Sequence, residues 1–321
     1  MSIDYLNKMY PPASIFINEK GNLNDVDLEK WNSSCDKDNQ NSLPFFMDED
    51  NPNIRELMDF MSYPFFSLSK NRINKIIFQY KKIEIKIVAP NEIGIPTVWD
   101  QEFLIWLTSQ LSNLLNKGIT PPSTILIRPS RFFKDTGKIK CGKEYKSFFA
   151  TLMRLKTTTI LTNIKAGSLI YSKGFSWVND FEIVKDQKEK ILGVKIELSQ
   201  WFYSRCIEDR AYLAIDPAYF SLSRAIERWL YGIARKHCGA NQVWTFKIET
   251  LYKLYPNQDR KFRFFKRDLV SVVKRNNLPE YQLEQGTEEN NNDIIYITPR
   301  KGLHLSRRLP RDMKRFAADL A

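Results

Sequence analysis

Between Lys261 and Asn277 the chain reads KFRFFKRDLVSVVKRNN, with cationic and apolar side chains recurring at helical spacing. At about 100° per residue, Arg263, Arg267, Ser271 and Lys274 line one side, and Phe262, Phe265, Leu269, Val272 and Val273 the other. A guanidinium fork donates paired hydrogen bonds to guanine O6 and N7, and a helix about 10–12 Å wide fits the major groove of B-DNA. Arg263, Arg267 and Lys274 are therefore candidates for reading base edges, with Ser271 small enough to let the duplex approach. Arg260, Lys261, Lys266 and Arg275 flank that face and are candidates for phosphate contacts, which set register but carry no sequence information. A sparser copy lies at Lys143–Lys156, where Lys143, Ser147, Ala150 and Arg154 oppose Tyr145, Phe148, Phe149, Leu152 and Leu155. Its phosphate candidates are Lys143, Lys146, Ser147 and Arg154, assisted by Arg131 and Lys134, with Arg307 and Arg308 in a basic tail.

Other strings suggest different chemistry and fall short of it. Gly137–Glu144, GKIKCGKE, resembles a phosphate-cradling loop, but Glu144 stands where a hydroxyl should hold Mg²⁺ and would repel the phosphates. His304–Arg307, HLSR, has the H-x-x-R spacing used around scissile phosphates, yet no tyrosine follows to act as nucleophile. The two histidines, His237 and His304, are far apart, and the four cysteines are scattered without a C-x-x-C. Cys206, His237 and Cys238 are better read as buried side chains than as metal ligands. No catalytic constellation, cofactor or metal is expected.

The elements that must position the two basic faces follow from pattern and punctuation. The 321 residues carry a formal charge of +12 and are 43% hydrophobic, a globular composition of about two domains whose expected partner is a polyanion or an acidic surface. No apolar run approaches the roughly 20 residues of a membrane span, and no signal pattern opens the chain, so a cytoplasmic place is expected. Residues 1–60 read as a mostly disordered acidic arm, with order beginning near Pro64. Strands are expected at Ile76–Tyr80 and Ile83–Val88. A helix at Gln101–Asn116 is capped by Asp100, followed by a strand at Thr124–Arg128, a helical turn from Ser130, and the helix Lys143–Lys156. Strands at Thr157–Ile164, Leu169–Trp177 and Ile191–Leu198 come next, with a charged connector at Lys185–Lys190. The order recurs: a helix from Ser223 to Gly239, a strand at Val243–Phe246, a helix at Ile248–Tyr255, the helix Lys261–Asn277, then strands at Tyr281–Glu284 and Ile294–Thr298 around a polar tip. This is the order of a winged helix-turn-helix unit, occurring twice. The expected fold is α+β: tandem winged helix-turn-helix domains at 61–210 and 211–300, an extended N-terminal arm and a basic tail at 301–321.

Several blocks carry a resemblance beyond this pattern. PFFSLSK at Pro64–Lys70, TVWDQEFLIWLTSQL at Thr97–Leu111, EYKSFFATLMRLKTTTILTNI at Glu144–Ile164, FSWV from Phe175, DPAYFSLSRAIERWLYGIARKHCG at Asp216–Gly239 and VWTFKIETLYKLY at Val243–Tyr255 are similar to the plasmid replication initiator protein A family. The resemblance covers roughly Pro64–Pro299. It implies an origin-binding initiator that recognises repeated double-stranded sequences, promotes opening of adjacent AT-rich DNA, brings in host helicase and other replication proteins, and self-associates. It also implies that the second domain makes the main major-groove contacts; the first helix, with Ser147 and Ala150 in place of long basic groups, departs from an equal share. A two-domain transcriptional repressor would share every structural inference made from the residues, and a nicking enzyme is a third reading. No membrane partner is implied.

Overall fold

The computed structural model describes residues 45–47, 53–69, 73–167, 174–185, 191–238, 243–256, 260–287 and 293–300. In chain order the elements are β1 (Phe45–Met47), β2 (Arg55–Leu57), α1 (Met58–Ser62), β3 (Lys75–Tyr80), β4 (Ile83–Val88), α2 (Gln101–Asn116), β5 (Thr124–Ile127), α3 (Pro129–Asp135), α4 (Gly142–Thr157) and β6 (Thr159–Thr162). There follow β7 (Val178–Lys185), β8 (Ile191–Leu198), α5 (Gln200–Ile207), β9 (Tyr212–Ala214), a 3₁₀ turn (Pro217–Ser221), α6 (Ala225–Cys238), β10 (Trp244–Lys247), α7 (Ile248–Leu254), α8 (Phe262–Arg275), β11 (Tyr281–Thr287) and β12 (Asp293–Pro299). The architecture is mixed α and β.

The two halves share a topology. α2, β5, α3, α4 and the β7–β8 hairpin in the first half match α6, β10, α7, α8 and the β11–β12 hairpin in the second. In each, the short strand between helices pairs antiparallel with the second hairpin strand: Ile125 opposite Ile196, and Phe246 opposite Ile295. The sheets accordingly run β5–β8–β7 and β10–β12–β11, the first extended by β1, which joins β5 in parallel. The first half also carries a separate β3–β4–β6 sheet.

Two sequence expectations are corrected. The first hairpin strand is β7, not Leu169–Trp177; residues 168–173 lie outside the described residues, and Phe175 makes only a bridge to Ile160. β7 is an edge strand bonded to β8 alone, and VNDFEIVK places charged and polar groups where a buried strand would show an apolar run. The second correction concerns the arm. Residues 53–62 are not a disordered leader: β2 pairs with β9, and Met58, Phe60 and Met61 of α1 are buried. The segment is too short to display periodicity, and its burial comes from partners distant in sequence. The rest of the expected arm, 1–44 and 48–52, lies outside the described residues, as does the tail from 301.

That segment fastens the halves together. α1 packs on α6 closely enough that a Cβ on Gly232 would lie 3.3 Å from the Met61 Cα, so glycine permits the approach. Asp59, fully buried, pairs with Arg205 of α5 at 2.6 Å. Ser62 accepts from Lys236 of α6. Nearby, Glu102 of α2 pairs with Arg228 of α6 at 2.5 Å, both side chains buried, and the Arg228 guanidinium lies 3.9 Å from the Trp99 ring centroid. The hydrophobic core is continuous across this seam.

Candidate nucleic-acid interface

Helix α8 forms because its apolar positions gather in one stripe. Phe265, Leu269 and Val272 are fully buried, with Phe265 wedged against Tyr255, Tyr252 and Trp229 at ring-centroid distances of 4.8, 5.4 and 6.1 Å. It ends at Asn276, which adopts the left-handed conformation (φ 47°) and whose side-chain oxygen accepts from the Leu283 N–H at 2.9 Å. The Arg300 guanidinium donates to the Asn276 carbonyl at 2.6 Å, placing a cation at the negative helix end. Helix and hairpin are thereby locked in one register. Phe262 departs from the expected core stripe: at the first helical residue it is 37% exposed and packs only edge-on against Tyr252.

The opposite stripe faces solvent. Arg263, Arg267, Ser271 and Lys274 are all exposed, and with Lys266 and Val270 they line a shallow concavity walled only by their own helix. Arg267 is 68% exposed and lies 3.5 Å from Asp268. Phe264, absent from the sequence-level site, sits between the cations: the guanidiniums of Arg263, Arg267 and Arg260 lie 4.6, 5.3 and 5.9 Å from its ring centroid. Such stacking restrains long side chains that would otherwise lose more rotamer entropy on binding. Of the flanking candidates, Lys261 and Arg275 are exposed. Arg260 pairs with Asp268, and Lys266 pairs with Asp293 of β12, so these two brace the helix rather than standing free.

On α4 the matching face is built differently. Lys143, Lys146, Ser147 and the preceding Lys134 are exposed, but Arg154 is not a free phosphate ligand. Its guanidinium forms a fork on Asp100 at 2.9 and 2.6 Å, and Thr151 donates to the same carboxylate at 2.5 Å. Asp100 is in turn 2% exposed and accepts from Thr97 rather than from a helix N–H, correcting its expected role as a simple cap of α2. Arg131 is likewise engaged: it pairs with Asp135 at 3.1 Å with both side chains nearly buried. Lys143, Ser147, Thr151 and Arg154 border a cavity of about 810 Å³ whose other wall is Ile93, Ile95, Thr97 and Trp99. Sequence spacing showed which way these residues point along α4, but not the segment that comes to face them. Arg307 and Arg308 lie outside the described residues.

Other groups take structural places. His237 sits edge-on to Phe246 and beside Trp244, and desolvation with the adjacent Lys236 charge lowers its pKa to about 3. Burial pushes the Cys206 thiol up to about 12, against the Thr108 hydroxyl. Gly137–Glu144 follows helix α3, whereas a phosphate-cradling loop of the kind its sequence resembles follows a strand. Arg224, just before α6, was not among the sequence candidates, yet it reaches α8 and donates to Ser271 Oγ at 3.2 Å. Only its position at the mouth of a helix hinted at it.

The family model described as replication initiator protein A matches residues 55–283, beginning at the first residue of β2 and ending within β11. A curated protein of Wigglesworthia glossinidia brevipalpis described as "Putative replication protein" is 31% identical over 275 residues, covering 82% of this chain and 96% of its own length. Among solved structures, a crystal structure of domains 2 and 3 of RctB aligns with a TM-score of 0.56 at 14% identity, over 75% of this chain and 98% of that one. A second crystal structure of RctB domains 2–3 gives 0.49 at 14% identity, over 76% and 96%. No helix among the described residues is long and apolar enough to cross a membrane. By the extent of the family match and of the curated relative, the chain belongs to the replication initiator protein A family.

Proposed function

We propose that this initiator binds repeated double-stranded sequences at an origin through two winged-helix units, divided near residue 210, and that α8 is the principal reader. The observation that carries this is the exposed row Arg263, Arg267, Ser271 and Lys274 on a helix locked to the β11–β12 hairpin, which serves as the wing. A bidentate arginine–guanine contact contributes about 1–3 kcal/mol of discrimination, so two such arginines supply a factor of hundreds. α4 contributes through Lys143, Lys146, Ser147 and Lys134, chiefly to phosphates. Binding then opens adjacent AT-rich DNA, self-association pairs initiators, and host helicase and replication proteins are recruited. The chain acts by binding and positioning, without catalysis.

Footprinting on the DNA flanking the gene tests the reading. Protection of direct repeats beside an AT-rich stretch is expected, whereas protection of one promoter-proximal palindrome would favour a repressor. Saturable Mg-ATP binding in calorimetry would count against a purely binding role.

A further inference from the structure

Beside the C-terminal end of the exposed row, a buried anion holds two cations without using up their donors. Glu227, in the first turn of α6, is fully buried, and neither carboxylate oxygen accepts a hydrogen bond. Arg224 Nη1 lies 4.0 Å and Arg275 Nη1 3.7 Å from the same oxygen, Oε1. These guanidiniums come from the residue just before α6 and from the last turn of α8. Arg224 also donates to Ser271 Oγ, and the Arg275 side chain is 50% exposed. A buried carboxylate is strongly destabilising unless cations compensate it. Two cations around one anion leave a net positive charge, and at 4.0 and 3.7 Å neither guanidinium hydrogen-bonds the carboxylate, so it spends no donor on it.

We infer that Arg224, Arg275 and Ser271 form a clamp for a single DNA backbone phosphate, with Glu227 as the positioning residue that sets the separation of the guanidiniums. The inference rests on the reading of α8 as the DNA-facing helix. The phosphate is a tetrahedral anion able to accept from two guanidiniums and a hydroxyl at once. The clamp lies at the far end of the reading row from Arg263, so it fixes the helix's register along the groove while carrying no base preference.

The test uses the full chain with two duplexes, the protected repeat and an unrelated sequence of equal length. Arg224→Ala and Arg275→Ala should each weaken binding about tenfold on both duplexes and lower the log–log salt slope by about 0.9, the value for one phosphate. The double variant should lose little more than either single one, because both act on one phosphate. A neutral methylphosphonate at one position should abolish the difference between the wild type and each variant. Glu227→Gln should reduce affinity and slope on both duplexes without lowering Tm, whereas a purely structural role would lower Tm and leave the slope alone. If the arginine variants leave affinity and slope unchanged while Arg267→Ala still alters base preference, the clamp is wrong and the reading of α8 stands. If Arg267→Ala is also silent, both fall.

Discussion

Helices α4 and α8 hold the same topological place in the two halves, yet one faces a wall and the other faces water. On α4, Arg154 is bound by Asp100, and the segment carrying Ile93, Ile95 and Trp99 stands across a cavity. On α8, the concavity belongs to that helix alone. An amphipathic basic helix is therefore not by itself a reader. What decides is whether another part of the chain covers its exposed row and takes up its cations in close hydrogen bonds, as Asp100 does with Arg154.

The comparison breaks most sharply in stability. Arg154→Met leaves Asp100 buried without its guanidinium and should destabilise the fold by about 3–5 kcal/mol in urea unfolding, whereas Arg267→Ala should stay within about 0.5 kcal/mol. Comparable small losses would mean that α4 is as free as α8. In DNA binding the order reverses: Arg267→Ala should forfeit about 1–3 kcal/mol of discrimination at one or two base pairs in a competition assay, and Ser147→Ala almost none. Equal loss of discrimination from both would erase the distinction.

The buried acid Glu56, on β2 against α2, predicts a pH response. Desolvation raises the Glu56 pKa from 4.5 to about 8, opposed only in part by Arg228, and Gln101 of α2 donates to its Oε1. The folded state thus holds this proton more tightly than the unfolded chain. The resulting stability is fully present below about pH 4.5 and is lost as pH rises toward 8, by up to about 1.4 kcal/mol per unit. Glu56→Gln should flatten that decline in urea midpoints taken across this range, and Lys274→Ala should leave it intact. A wild-type profile already flat between pH 5 and 8 would contradict the assignment. The smallest effect separates phosphate contacts. Lys274→Ala should lower the salt slope by about 0.9 if it reaches a phosphate, and leave it nearly unchanged if it reads a base edge.

Much of this could be read from the residues, and most of the failures share a cause. α2 was bounded at Gln101–Asn116 by periodicity and Gly118, and α8 to within two residues at either end, because long amphipathic stripes declare themselves locally. β2 and α1 escape the sequence reading because short segments take their burial from elements more than a hundred residues away, as β2 does from β9, and β7 escapes it because an edge strand shows no apolar run. Arg154 meets Asp100, a partner remote in sequence, whereas Arg131 pairs with Asp135 within its own helix. Spacing shows which way a side chain leaves its helix, and nothing of what waits there.

From sequence alone came the order of elements, its repetition, the family and the side of α8 on which the arginines lie, since each depends on residues near one another in the chain. Tertiary structure decided which basic face stayed open, that Arg154 meets Asp100 and Arg275 meets Glu227, and that residues 53–62 bind the halves together. Those outcomes hinge on Coulomb and packing contacts between positions remote in sequence, which only the closed fold brings within reach.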